Sequence, residues 1–297
     1  MTKVVIITGL TGSGKSGLAV KIARVFNGEI ISADSVQIYR GLDIGSAKED
    51  HKTMQEIPHH LIDIKNFAES YNVGEFIKDT KVALKNILAK GKLPIIVGGT
   101  GMYVKALLEG YSFGETCAND EFRIKYQNMA EEKGNLAVWE ELNKLNPERA
   151  KTVHHNNLKR VIRYLEIEQN HQDITKTESI LKDFDILCVG IVADREIIYS
   201  RINKRVDEMI EMGLEDEIRT LVSQGATKNM QAFNSIGYKE WFDYFTGKQS
   251  KKKTIDLIKQ HTRNYCKRQL TFLKTINYIE LLTLNEAEEK IRSFLND

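Results

Sequence analysis

Residues 4–8, VVIIT, are apolar or β-branched, too few for a helix, and bounded by glycine, which predicts a buried strand. After the glycine-rich stretch that follows, Leu18, Ile22, Val25 and Phe26 recur at helical spacing, and Asn27-Gly28 closes the predicted helix. EIISA at 29–33 is a second buried run, ending at Asp34-Ser35. Val73, Phe76, Ile77, Leu84, Ile87 and Leu88 then mark a long amphipathic helix closed by Gly91, and LPIIV at 93–97 follows as a third strand. Strands alternating with helices of this length predict an α/β fold: a parallel sheet with helices on both faces. Ligands of such sheets sit beyond the carboxyl ends of the strands.

The pattern changes near residue 115. Residues 120–182 carry charged helical stretches and no convincing strand, which predicts a helical insertion. ILCVGIV at 186–192 returns to the sheet, Asp194 reads as an N-cap for a helix bearing Ile198, Ile202, Val206 and Met209, and the remainder reads as mostly helical. The expected organisation is therefore a P-loop NTPase-like core, residues 1–114 and 184–297, interrupted by a helical insertion at 115–183.

The loop between the first strand and helix carries the clearest chemistry. Gly9, four intervening residues, then Gly14-Lys15-Ser16 is the spacing of a phosphate-cradling P-loop. Backbone N–H groups of Gly9, Leu10, Thr11, Gly12, Ser13 and Gly14 would converge on phosphate oxygens at a helix N-terminus, with Lys15 as a point charge and Ser16 able to hold Mg2+. Most owners of such loops bind a nucleoside triphosphate. A P-loop ATPase, however, normally places a carboxylate at the end of a second apolar strand. Here the corresponding strand ends in Gly98-Gly99-Thr100, which leaves Asp34 as the acid near the phosphate site, either as a catalytic group or as a helix cap.

Composition narrows the setting. Cys117, Cys188 and Cys266 have no CxxC spacing, so neither a disulfide framework nor a zinc site is suggested and a reducing, cytoplasmic location is expected. No stretch reaches the ~20 apolar residues of a membrane helix. His59-His60 and His154-His155 are adjacent pairs that cannot easily aim at one ion, and no third ligand has suitable spacing. The net charge is only +2, so a polyanion would have to be met by a local patch.

Seven stretches in order, GLTGSGKS, EIISADSVQIYRGLDIGSAK, IPHHLIDI, VGGTGMYVKALLEG, DRE with RINKRVDEMIEMGLEDEI, SIGYKE and TRNYCKRQLTFLK, resemble the tRNA dimethylallyltransferase (tRNA isopentenyltransferase) family from residue 1 to about 275. Leu10 and Gly12 depart from the family loop, usually GPTASGKT, without removing a phosphate-facing group. The resemblance implies transfer of a dimethylallyl group from dimethylallyl diphosphate to N6 of an adenosine beside the anticodon, with the loop holding the diphosphate. It implies that Asp34 is the base, that Thr100 and Arg205 contact the bridging oxygen and the diphosphate, and that the tRNA anticodon stem-loop is the partner of a monomer.

Positions matching family tRNA contacts are Asp34, Ser35, Val36, Gln37, Thr100, Arg123, Lys159, Arg160, Val161, Ile162, Arg163, Asn234, Ser235, Ile236, Gly237, Tyr238 and Lys239. Lys259, Arg263 and Lys267 fall at i, i+4 and i+8, a basic stripe near Tyr265 and Phe272. Residues 251–274 hold eight Lys or Arg against one Asp, a local +7 suited to an anionic stem-loop. Three other readings stay open: a small-molecule kinase using ATP, a nucleic-acid-binding ATPase switch, and an adenylate isopentenyltransferase with AMP or ADP as acceptor.

Overall fold

The computed structural model describes residues 1–111, 120–169 and 177–297; Cys117 lies outside them. Contacts divide the chain into two units, Met1–Gly110 with Glu178–Asp297, and Tyr111–Thr177.

The first unit is built on β1 (Thr2–Gly9), α1 (Lys15–Val25), β2 (Gly28–Ser32), α2 (His51–Glu56), β3 (His59–His60), α3 (Val73–Ala89), β4 (Leu93–Gly98) and α4 (Gly101–Glu109). The second contains α5 (Asp120–Lys133), α6 (Asn135–Leu145), α7 (Pro147–Lys151) and α8 (Leu158–Gln169). The chain returns to the first unit through β5 (Phe184–Ile191), α9 (Arg195–Glu211), α10 (Leu214–Ser223), α11 (Trp241–Phe245), α12 (Lys251–Leu273), β6 (Glu280–Leu282) and α13 (Leu284–Asn296).

All six strands are parallel, in the order β3-β2-β4-β1-β5-β6. Alternation of side chains along β1 assigns the two faces. Val5 and Ile7 pack with Ile95, Leu18, Ile22, Ala287 and Ile291 under α1 and α13. Val4 and Ile6 face the larger core, with Ile96, Phe76, Leu84, Val104 and Leu107 from β4, α3 and α4. With both faces covered, the central strands read as continuous apolar runs, which is why they were legible.

Two strands depart from the sequence reading. β3 is the pair His59-His60 and β6 lies in a stretch read as helical; both are short edge pairings imposed by their neighbours β2 and β5. Asp194 does occupy the N-cap position of α9, yet its side chain makes no capping hydrogen bond.

The second unit has its own small core of Val138, Leu142, Ala150, Val153, Val161, Ile162 and Leu165. Asn146 caps α7 by accepting from the Arg149 N–H. No described helix is long and apolar enough to cross a membrane.

Candidate active site

Loop, helix and strand ends converge at the carboxyl edge of the sheet, beside the point where β1 and β4 part company. At the start of α1 the N-cap is Gly14 with φ 91°, a left-handed conformation that costs glycine little and turns the loop onto the helix axis. Lys15 and Ser16 follow as the first two helical residues. Gly98 and Gly99 are demanded by close approach rather than by backbone freedom. A Cβ on Gly98 would stand 2.1 Å from the Ala33 carbonyl oxygen, and one on Gly99 would stand 2.8 Å from Gln269 Nε2.

A cavity of about 380 Å³ opens here, lined by Thr11, Lys15, Ser16, Asp34, Thr100 and Arg205 among others. A second cavity, also about 380 Å³, lies at the outer mouth of the loop and shares Lys15, Ser16, Glu49 and Arg205 with the first. Of the eight loop positions, Gly9 closes β1, and Leu10 and Ser13 are buried in the protein interior, so their side chains are withheld from the cavities. Their backbone N–H groups are also engaged, Leu10 donating to the Ile191 carbonyl and Ser13 to the Leu10 carbonyl, and the Thr11 N–H donates to Gln269 Oε1, so these three amides do not converge on a phosphate position as the spacing predicts.

Asp34 stands beyond the tip of β2. Its Oδ1 accepts from the Val36 N–H (2.9 Å) and the Gln37 N–H (3.4 Å), so the carboxylate fixes its own turn while lining the cavity. Oδ2 accepts no hydrogen bond among the described residues. No helix begins at Asp34, so it is not a helix cap; one oxygen serves a turn instead. Thr100, at the N-cap of α4, makes no capping bond; its hydroxyl accepts from the Ser35 N–H (3.1 Å) and donates to Ser35 Oγ (3.3 Å). That ties Thr100 to the residue beside Asp34.

The electrostatics follow from burial. Desolvation pushes the Lys15 ammonium down to about 8, with Asp34 opposing the shift and Arg205 adding to it. Burial also lowers Arg205, whereas Asp34 and Glu49 favour its charged form. Two buried cations, Lys15 and Arg205, are costly to keep desolvated even with Asp34 and Glu49 nearby, and a bound anion would favour the charged form of both.

Among the groups that line the first cavity, the Ser16 hydroxyl and the Asp34 and Glu49 carboxylates are hard oxygen donors. This hard donor set suits Mg2+ held mainly through ligand phosphates and water. No cluster of three or more His, Cys, Asp or Glu exists among the described residues. His59 and His60 diverge along β3: His59 lines the cavity, and His60 Nε2 meets Glu29 Oε2 at 2.7 Å.

Several candidates for nucleic-acid contact reach the rim. Ser35, Val36, Gln37, Asn234, Ser235, Ile236, Gly237 and Lys239 line the cavity. Tyr238 does not; it is fully buried, and its hydroxyl donates to Glu217 Oε1 at 2.7 Å. The Gln37 amide is also engaged internally, accepting from Ser32 Oγ and donating to the Ser46 and Ala47 carbonyls.

Arg123 and residues 159–163 belong to the second unit. Lys159 and Arg160 are exposed, whereas Val161 and Ile162 are core residues whose side chains are unavailable to a ligand. Arg123 and Arg163 both pair with the buried Glu166, at 2.6 and 3.0 Å. The basic stripe on α12 is likewise partly internal: Lys259 pairs with Asp207 (2.6 Å) and Arg263 donates to Asn203 (2.6 Å), both on α9. Lys267 and Arg268 remain exposed.

The sequence reading missed Glu49 and the apolar wall of Ile202, Val206, Met209 and Ile258, which line the cavity, and Gln269, which bonds the Thr11 N–H and the Gly99 carbonyl. Gln269 had one signal, a polar residue at a core position of α12, in register with Ile258, Cys266 and Leu273.

A glycine loop of P-loop spacing at the switch point of a parallel sheet, with Asp34 past the tip of β2 rather than an acid at the end of β4, defines a P-loop-like α/β protein. The family model described as IPP transferase matches residues 37–276. The chain is 45% identical over 273 residues to a tRNA dimethylallyltransferase of Exiguobacterium, covering 92% of this chain and 88% of the relative. Among solved structures, a tRNA isopentenylpyrophosphate transferase of Bacillus halodurans superposes with a TM-score of 0.73 at 36% identity, covering 100% of this chain and 96% of that one. A eukaryotic dimethylallyltransferase acting on tRNA gives 0.74 at 28% identity, covering 99% and 78%. The chain belongs to the IPP transferase family.

Proposed function

We propose that this chain transfers a dimethylallyl group from dimethylallyl diphosphate to N6 of an adenosine adjacent to the anticodon of tRNA, releasing diphosphate. The observation that carries the reading is the cavity itself, where Asp34 shares a wall with Lys15, Arg205 and Thr100. As the allylic carbon–oxygen bond breaks, its electron pair moves onto the bridging oxygen. Lys15, Arg205 and the loop amides other than those of Leu10, Thr11 and Ser13, which donate within the protein, stabilise that charge where it develops. Adenine N6 forms the new carbon–nitrogen bond, and Asp34 accepts the proton that N6 loses. Thr100, fixed through Ser35, holds the bridging oxygen side of the diphosphate. Bound Mg2+, with Ser16 as its protein ligand, would neutralise diphosphate charge.

An adenine in a helical stack cannot enter this cavity, so the nucleotide must be flipped out. The 35–37 turn and the 234–239 loop form its rim, and exposed Lys267 and Arg268 supply cations for the phosphate backbone.

The test is to incubate the protein with Mg2+, labelled dimethylallyl diphosphate and either tRNA or AMP, with a parallel ATP reaction assayed for ADP. Label on tRNA supports the reading. Label on AMP alone would assign the adenylate reaction, and ADP release at rates on the order of 1–100 per second without prenyl transfer would assign a kinase.

A further inference from the structure

The phosphate loop and the β4 tip diverge after the last backbone pair between β1 and β4, Thr8 with Gly98. The loop leans toward β5, where the Leu10 N–H donates to the Ile191 carbonyl at 3.1 Å. The tip leans the other way, toward β2, where the Thr100 N–H donates to the Ala33 carbonyl at 3.3 Å. A gap therefore opens between Thr11 and Thr100, the two threonines that line the cavity from opposite sides of this divide.

Gln269, on the inner face of α12, spans the gap with one side-chain amide. Its Oε1 accepts from the Thr11 N–H at 2.9 Å, and its Nε2 donates to the Gly99 carbonyl at 3.0 Å. Tyr265, one turn earlier on α12, donates its hydroxyl to the same carbonyl at 3.3 Å. The side chain of Gln269 is buried, and the absence of a Cβ on Gly99 makes room for its amide nitrogen. A buried amide with both ends satisfied is rigid, since losing either bond leaves a desolvated polar group.

We propose that Gln269 is a positioning residue for prenyl transfer: a two-ended strap that sets the spacing between the diphosphate loop and the Thr100 tip. This rests on the functional reading above. The strap touches neither substrate. It acts through Thr11 and Thr100, and a displacement on the order of 1 Å between a held leaving group and the groups around it can cost roughly 100-fold in rate.

The test is Gln269→Met, which keeps length and apolar packing but removes both bonds, assayed with dimethylallyl diphosphate and tRNA. The expected result is a kcat lower by roughly 10- to 100-fold with the KM for dimethylallyl diphosphate within about threefold, as for a contribution expressed in the transition state. Combined with Thr100→Val, the loss should be sub-additive, because both changes act on one spacing. Hydrogen exchange at the Thr11 amide should accelerate in Gln269→Met and stay slow in Gln269→Glu, which retains the acceptor but loses the donor to Gly99. The glutamate variant also serves if the methionine variant does not fold, its kcat being expected to fall as well. A folded variant with wild-type kcat, or fully additive losses with Thr100→Val, would overturn the strap. Wild-type protein that transfers no prenyl group would instead overturn the functional reading, so the two failures are distinguishable.

Discussion

If burial holds Lys15 near 8, its charge, and with it the affinity for diphosphate, should titrate in the range where enzymes are assayed. A lysine with a folded value below its usual 10.5 is fully protonated only under about pH 7 and mostly neutral at pH 9. An arriving anion favours the ammonium form, so binding above pH 8 must take up a proton. From a value of about 8, the protonated fraction falls roughly tenfold between pH 7 and pH 9, and the dissociation constant for diphosphate should rise by about the same factor. Because diphosphate titrates too, the informative quantity is the ratio to Lys15→Arg, whose guanidinium stays charged throughout. Calorimetry with inorganic diphosphate and Mg2+ at pH 7, 8 and 9, in buffers of different ionisation enthalpy, gives affinity and proton uptake together. The reasoning predicts that wild-type affinity falls relative to the arginine variant and that wild type alone takes up protein-bound protons near pH 8. A ratio that stays flat would refute it. The same shift gives a stability signature. Since the unfolded chain holds this proton up to about 10.5, folding stability gains from Lys15 as pH rises from 8 toward 10.5.

Other outcomes follow from individual contacts. Glu217 accepts from the Asp43, Ile44 and Gly45 N–H groups and from the Tyr238 hydroxyl, so Glu217→Ala should cost about 2–4 kcal/mol in urea unfolding by stranding these donors, with Tyr238→Phe costing about 1. Burial favours a neutral Glu29, but bonds from His60, Lys92 and Lys90 bring its carboxyl down to about 2. Its contribution to stability is therefore present above about 4.5 and lost as pH falls toward 2, and Glu29→Gln should flatten the acid limb of an unfolding profile over that range. Chelating Mg2+ should abolish transfer while filter binding shows tRNA affinity largely retained, because the metal's proposed ligand, Ser16, lies on the diphosphate side.

The central sheet and the phosphate loop could be read from sequence because their information is local: apolar runs bounded by glycine, and a fixed spacing ending in Gly14-Lys15-Ser16. What escaped is set by partners remote in the chain. β3 and β6 have no strand signature of their own and exist because β2 and β5 offer an open edge. Gln269 lies 258 residues from the amide it holds, and no local pattern announces such a bond. Lys259 and Arg263 looked like a solvent-facing stripe because helical spacing gives a face but not what covers it; α9 does, with Asp207 and Asn203. Tyr238, Val161 and Ile162 fell within contact motifs, yet their side chains are spent on packing.

The assignment of Asp34 as proton acceptor bears most directly on the account, and Asp34→Asn tests it cleanly because the amide oxygen can still accept from the Val36 and Gln37 N–H groups and keep the turn. Single-turnover transfer with saturating tRNA and dimethylallyl diphosphate should slow by roughly 10²- to 10⁴-fold, while the melting temperature and diphosphate affinity hold, the latter even tightening as a like charge is removed. A folded, saturated Asp34→Asn protein that turns over within about threefold of wild type, well short of a typical general-base contribution, would contradict the account.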